Sequence, residues 1–186
     1  MKTKNLKIAI MLASVLLINC GDAFAEDTLG PWLLNLHHTD GVKPVTNKTY
    51  KDECGACHFA YQPGWLPAKS WEKLLTTQSL HNHFGEVADL DKETLQMIHD
   101  YAIQNSADKS YYKRSRTVVA ATEGIDAPLR ITDVRYISRK HHDIPEKMVK
   151  GNKDVKSLSN CNACHVQAEH GVFNADTVSI PNFPKY

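Results

Sequence analysis

The chain has almost no net charge: 22 Lys and Arg stand against 21 Asp and Glu, a formal +1. That balance excludes the basic stripe of a nucleic-acid binder and leaves docking to local patches. Strong strand signals are missing, so a sheet-based fold is not expected. The apolar run from Ile8 to Ile18, interrupted by Ser14, falls short of the roughly 20 residues that span a bilayer. No long internal repeat is present. Cysteine is scarce, with 5 in 186 residues, and its placement is far from random.

Four of those cysteines form two copies of one short motif. Cys54-Gly55-Ala56-Cys57-His58 recurs as Cys161-Asn162-Ala163-Cys164-His165. Each is C-x-x-C-H, the attachment signature of c-type haem. Two thiols on one helical turn can add to the two vinyl groups of a porphyrin. The histidine directly after them then lies under the iron. Shuffling a chain with 5 Cys and 10 His gives on the order of 0.01 such matches, so two are informative. Three plainer readings compete. A thioredoxin-like pair needs a βαβ context, and no β-branched run precedes either motif. A four-cysteine zinc site usually has its pairs roughly 15–20 residues apart, whereas these pairs flank most of the chain. Disulfides leave the repeated histidine unexplained. The expectation is two covalent haems held by Cys54, Cys57, Cys161 and Cys164, with His58 and His165 on the irons.

The N-terminus reads as a secretory signal. Lys2, Lys4 and Lys7 precede the apolar run, and Ala23-Phe24-Ala25 offers an A-x-A cleavage site before Glu26. Cys20 raises a lipoprotein reading, but Asn19 is a poor residue before a lipidated cysteine. Export to the periplasm suits covalent haem, which bacteria attach outside the cytoplasm. Losing residues 1–25 takes the formal charge from +1 to −1.

The expected fold class is mostly α with long irregular segments, in two small haem-centred lobes. The reading divides the chain into a signal peptide (1–25), an N-terminal haem lobe (26–108), a junction (109–130) and a C-terminal haem lobe (131–186). Thr46, Asn47 or Thr49 can cap a short helix leading into the first motif. Tyr61-Gln62-Pro63-Gly64 is a turn. Pro67 opens a helix on which Trp71, Leu74 and Leu75 share a face. Trp65 and Trp71 are candidates to pack on a porphyrin or simply to fill the core. Asp91 caps a helix carrying Leu95, Ile98 and Ala102, which is expected to run to about Ser106. The segment from Leu95 to Ile103 resembles the helix that crosses the haem-bearing one in class I cytochromes c, so the N-terminal lobe resembles a reduced version of that fold. Residues 107–130 read as irregular, with Lys109, Lys113, Arg114, Arg116, Tyr111 and Tyr112 available to hold haem propionates. Thr132 can cap a helix reaching His141, and Ser157 or Ser159 can cap the turn into the second motif. The tail with Pro181 and Pro184 reads as extended.

What fills each iron's remaining position decides the function. A second histidine gives low-potential electron transfer, and a methionine gives higher potential. An open position gives gas binding or peroxide chemistry. Beyond the motif histidines the chain has His37, His38, His81, His83, His99, His141, His142 and His170. His81 and His83 lie in a loop containing Gly85 that can fold back over the first haem. His99 flanks the apolar face of its helix. His141 and His142 sit at a helix end, and neighbours on a helix diverge by about 100°. Met97 and Met148 are further candidates, though each reads better as packing.

A longer pattern surrounds these residues. Tyr50, Glu53, Cys54, Gly55, Cys57, His58, Ala60, Tyr61, Pro63, Gly64, Leu66, Pro67, Ala68, Ser70 and Trp71 together resemble the bacterial dihaem cytochrome c family. So do His83-Phe84-Gly85-Glu86, the stretch from Arg130-Ile131-Thr132 to His141, and the segment from Cys161 to Gly171. The resemblance implies a periplasmic electron carrier with two bis-histidine haems, His83 over the first iron and His141 over the second. It also implies electron donation to an oxygen-binding monohaem cytochrome of the SHP type, and supply from a membrane cytochrome b. No enzyme activity, small-molecule substrate or nucleic acid is expected. The competing reading is a small dihaem enzyme with one open iron position, acting on peroxide or on oxygen or nitrogen oxides. Dihaem peroxidases are considerably longer chains.

Overall fold

A computed structural model describes residues 41–184, all within one unit of the chain. The expected signal peptide, its cleavage site after Ala25, Cys20, His37, His38 and the final residues lie outside the described residues. Among the described residues there are seven α-helices, several single 3₁₀ turns and no strands. Two isolated antiparallel bridges, His83 with Glu86 and His165 with Val178, are the nearest approach to a sheet. Among the described residues no helix is long and apolar enough to cross a membrane.

Local chemistry sets the first helices. Helix α1 (Lys48–Cys54) is capped by Asn47, whose side chain accepts from the Tyr50 amide at 2.8 Å. It ends inside the first motif and turns Tyr50 fully inward. Pro67 opens α2 (Ala68–Leu74), which buries Ser70, Trp71 and Leu74. A short α3 (Thr77–His81) follows, capped by Thr76. Helix α4 (Lys92–Gln104) begins where Asp91 accepts from the Glu93 and Thr94 amides. It packs on both α1 and α2, burying Ile98 and Ala102, and sets Tyr101 5.1 Å from the Tyr50 ring. The helix that runs into the first motif thus packs against the later one.

The later chain departs from expectation in three places. Residues 107–130 are not irregular throughout, because α5 (Lys113–Thr122) occupies their middle. Its buried face is Ser115, Val118 and Thr122, residues too small or polar to give an apolar stripe. Next, Thr132 does not cap a helix. It sits in a 3₁₀ turn (Ile131–Asp133), and α6 (Arg135–His141) starts after Val134. Finally, α7 (Cys161–Cys164) is preceded by Asn160, with neither Ser157 nor Ser159 capping it.

Most of these helices have ten residues or fewer, a length that is marginal in isolation, so packing must hold them. One core cluster runs from Val42 to Phe173 and takes residues from both halves. Trp65 meets Phe173 edge-on at 4.9 Å. Fully buried Gln62 donates from Nε2 to Ala168 O at 2.5 Å and accepts from Trp65 Nε1 at 3.2 Å. Arg114 on α5 donates to the Tyr136 hydroxyl at 2.7 Å, Phe173 O at 2.8 Å and Asn174 Oδ1 at 3.1 Å.

Gly171 closes the structure where early and late segments meet. Its φ is +73°, and a Cβ there would lie 1.9 Å from Val42 O. Gly171→Ala combines a disfavoured backbone with a steric clash against main chain. The expected cost is about 2–4 kcal/mol, read as a lower urea midpoint of the holoprotein.

Candidate functional site

The two motifs and both halves of the chain line one cavity of about 800 Å³. The first motif contributes Cys54, Cys57 and His58, the second Cys161, Cys164 and His165. Trp65, Trp71, Leu74, Leu75 and Leu80 form much of the wall beside the first motif. Both tryptophans therefore serve the core and the cavity at once.

Two imidazole pairs face each other across this space. His58 and His83 have ring centroids 6.4 Å apart and planes only 15° from parallel. His141 and His165 are 6.1 Å apart with planes at 75°. Their ring nitrogens are not equally held. His58 Nδ1 donates to Phe59 O at 2.7 Å, and His141 Nδ1 donates to Ile137 O at 2.8 Å. Each bond leaves Nε2 with a free lone pair. Nδ1 of His83 and of His165 is buried without a partner.

The other candidates lie elsewhere. His81 pairs with Asp89 at 3.0 Å and is exposed. His99 contacts Asp100 at 3.3 Å on α4. His142 is turned outward, donating to Arg139 O at 2.8 Å and meeting Asp143 at 3.1 Å. His170 and Met97 are exposed, and none of these five lines the cavity. Met148 does line it, as do Val149 and Val155.

Electrostatics follow from burial. His165 is held down to about 4, first by desolvation, then by His141 and the Arg114 guanidinium, so its imidazole is neutral at pH 7. Burial and neighbouring Glu53 push the Cys54 thiol up to about 12, and burial pushes Cys161 up to about 11. Such thiols are the reverse of the acidic thiolate that a thioredoxin-like nucleophile needs. Among the described residues no group of three or more His, Cys, Asp or Glu is placed to hold a bare metal ion.

Two residues outside the motifs join the halves of the site. The Tyr61 ring lies 4.9 Å from His58, and its hydroxyl donates to Ser159 O at 2.5 Å, two residues before the second motif. Arg130 stacks over the Phe84 ring at 3.9 Å, beside His83. Neither contact has a sequence signal beyond membership of the longer pattern. Tyr61→Phe keeps the ring and removes the tie. It is expected to cost about 1 kcal/mol in denaturant stability with an unchanged visible spectrum.

The family model for dihaem cytochrome c matches residues 50–173. The chain belongs to the dihaem cytochrome c family. Solved dihaem cytochromes resemble it closely. The "new diheme cytochrome type c" of Shewanella baltica OS155 is 36% identical with a TM-score of 0.61, covering 75% of this chain and 97% of that one. The diheme cytochrome c of Rhodobacter sphaeroides is 38% identical with a TM-score of 0.60, covering 71% and 100%. A second Rhodobacter sphaeroides structure, of purified DHC, is 39% identical with a TM-score of 0.54, covering 70% and 99%. No curated protein matches the chain.

The dihaem cytochrome carries two covalently bound haem c groups, and its cavity fits them. A metal–imidazole bond of about 2 Å on each side, plus about 1 Å from nitrogen to ring centre, separates two centroids by about 6 Å. Both histidine pairs stand at that spacing, 6.4 and 6.1 Å. The unpartnered Arg114 Nε is a buried donor that a haem's carboxylate could satisfy.

Proposed function

We propose that this dihaem cytochrome is a periplasmic electron carrier in which both irons are bound by two histidines. In this reading Cys54 and Cys57 hold the first haem between His58 and His83. Cys161 and Cys164 hold the second between His165 and His141. The observation that carries it is the pair of facing imidazoles, at 6.4 and 6.1 Å, across one cavity. The haems supply one-electron chemistry when bound.

The chain's own residues do the rest. The histidine pairs fill the iron positions in the resting protein, so the protein acts as a wire rather than an enzyme. Phe59 O and Ile137 O orient one ring of each pair and raise its donor strength. Leu74, Leu75 and Leu80 keep water from the first site, and Phe173, 5.2 Å from His165, does so at the second. A single cavity of about 800 Å³ keeps the two groups close enough for electrons to pass between them.

The signal-like N-terminus, ending at Ala25, supports the periplasm as its compartment. An SHP-type monohaem cytochrome is the proposed acceptor and a membrane cytochrome b the proposed donor. Ferric EPR with near-infrared spectroscopy on the holoprotein tests the ligation. Two low-spin bis-histidine centres are expected, and a high-spin centre in the untreated protein would overturn the reading. Stopped-flow mixing with a purified SHP-type cytochrome tests the partner. The absence of any electron exchange would remove it.

A further inference from the structure

The two histidines that lie outside the motifs are anchored very differently. His141 is the last residue of α6, and its ring is tied to its own helix through Ile137 O at 2.8 Å. That helix is fastened in turn by Tyr136, whose hydroxyl accepts from Arg114 at 2.7 Å. Nδ1 of the His83 ring is buried without a partner. Its backbone sits in a tight turn, with His83 N donating to Glu86 O at 2.7 Å and Glu86 N returning to His83 O at 3.2 Å.

This turn carries strain. Phe84 has φ +59°, the left-handed region that a bulky side chain rarely adopts. Gly85 has φ +105°, and a Cβ placed on it meets nothing within 4 Å. Phe84 and Val87 both line the cavity. The turn's outer ties are the Arg130 guanidinium over Phe84 at 3.9 Å, the Gly85 amide on Asn82 Oδ1 at 3.2 Å and the Ala88 amide on Leu80 O at 2.9 Å. Opening such a turn is a local event. Releasing His141 means breaking its ring bond and fraying a helix end.

We propose that His83 is a releasable ligand, and that the first haem binds a small neutral gas such as carbon monoxide in its place while His141 holds the second haem closed. The inference rests on the bis-histidine reading above. In the exchange His83 gives up one iron–nitrogen bond and the gas makes one bond in its stead. No electron or proton is transferred. Carbon monoxide is the probe because it binds reduced haem iron without carrying charge; Leu74, Leu75, Leu80, Ala88 and Leu90 line the cavity, as does Arg130.

The test is stopped-flow mixing of the dithionite-reduced holoprotein with carbon monoxide, followed in the visible region. One equivalent per two haems is expected, at a rate that levels off with rising gas concentration because His83 release limits it. His83→Ala should bind in proportion to the gas and about tenfold faster or more, since no ligand must first leave. Arg130→Ala, which frees the turn and leaves both histidines in place, should raise the plateau rate several-fold. His141→Ala should add a second, fast equivalent and keep the slow phase. No uptake in gas-saturated buffer, uptake of two equivalents by the unaltered protein, or a slow phase lost in His141→Ala but kept in His83→Ala would each overturn the proposal. A failure of the bis-histidine reading looks different: the unaltered ferric protein shows a high-spin signal, and gas binds without a plateau.

Discussion

His83→Ala is expected to convert one of two low-spin ferric signals to high spin and leave the other untouched. The cause is local. His83 stands 6.4 Å from His58, and no other imidazole lines that end of the cavity. Among the described residues, His81 and His99 are engaged by Asp89 and Asp100 and do not line the cavity. Water or an empty position is a weaker field than imidazole, so the spin state changes. Axial ligands move haem potentials across about 0.8 V, and losing this one should raise the first potential by roughly 0.1 V.

His141→Ala should do the same to the other haem. The two signals can be told apart in advance. Near-parallel imidazoles, at 15°, split the iron orbitals rhombically, whereas near-perpendicular ones, at 75°, leave them almost degenerate. The rhombic EPR signal should vanish in His83→Ala, and the strongly anisotropic one in His141→Ala. His37→Ala, His38→Ala and His170→Ala should leave both intact. Two low-spin centres surviving in His83→Ala would return the first iron to His81 or His99.

Arg114→Gln is expected to lower the potential of the second haem by tens of millivolts and leave the first nearly unchanged. Arg114 lines the cavity, helps hold His165 neutral, and has a buried Nε with no protein partner. A fixed positive charge favours the reduced state, which carries one unit less positive charge. At an effective dielectric of about 20 and a separation of about 10 Å, one charge contributes on the order of 1–2 kcal/mol. Glutamine preserves part of the hydrogen bonding to Tyr136, Phe173 and Asn174 and deletes the charge. Arg114→Lys separates the two effects, because it keeps the charge and loses the fork. A redox titration of the three proteins is the measurement. Equal drops in the lysine and glutamine variants would point to packing rather than charge.

Much of the architecture could be read from local chemistry. Asn47 and Asp91 cap helices because a short oxygen-bearing side chain satisfies amides two or three residues ahead, wherever the rest of the chain goes. Trp71, Leu74 and Leu75 share one face for the same periodic reason. Helix α5 was not legible. Its buried face is Ser115, Val118 and Thr122, and only close packing against Gly64 makes such small residues a core, since a Cβ at Gly64 would meet Ser115 Oγ at 2.5 Å. The start of α6 was misread because Thr132 offers a good cap, yet the chain spends it in a 3₁₀ turn that buries Ile131.

The candidate site divides in the same way. The number and kind of cofactors were determined by the sequence alone, because the spacing of two thiols and a histidine is complete within five consecutive residues. Which further imidazoles face those histidines was not set by spacing: only the family resemblance pointed to His83 and His141, and their facing geometry belongs to the tertiary structure. His83 and His141 sit 25 and 24 residues from their motif histidines, and the pattern offers close rivals at 81 and 142. Backbone direction separates them, turning His142 out to Arg139 O and Asp143 while His141 faces His165. The angles of 15° and 75° between ring planes, and the unequal anchoring of His83 and His141, also belong to the fold. They arise from contacts between segments distant in the chain, which no local spacing encodes.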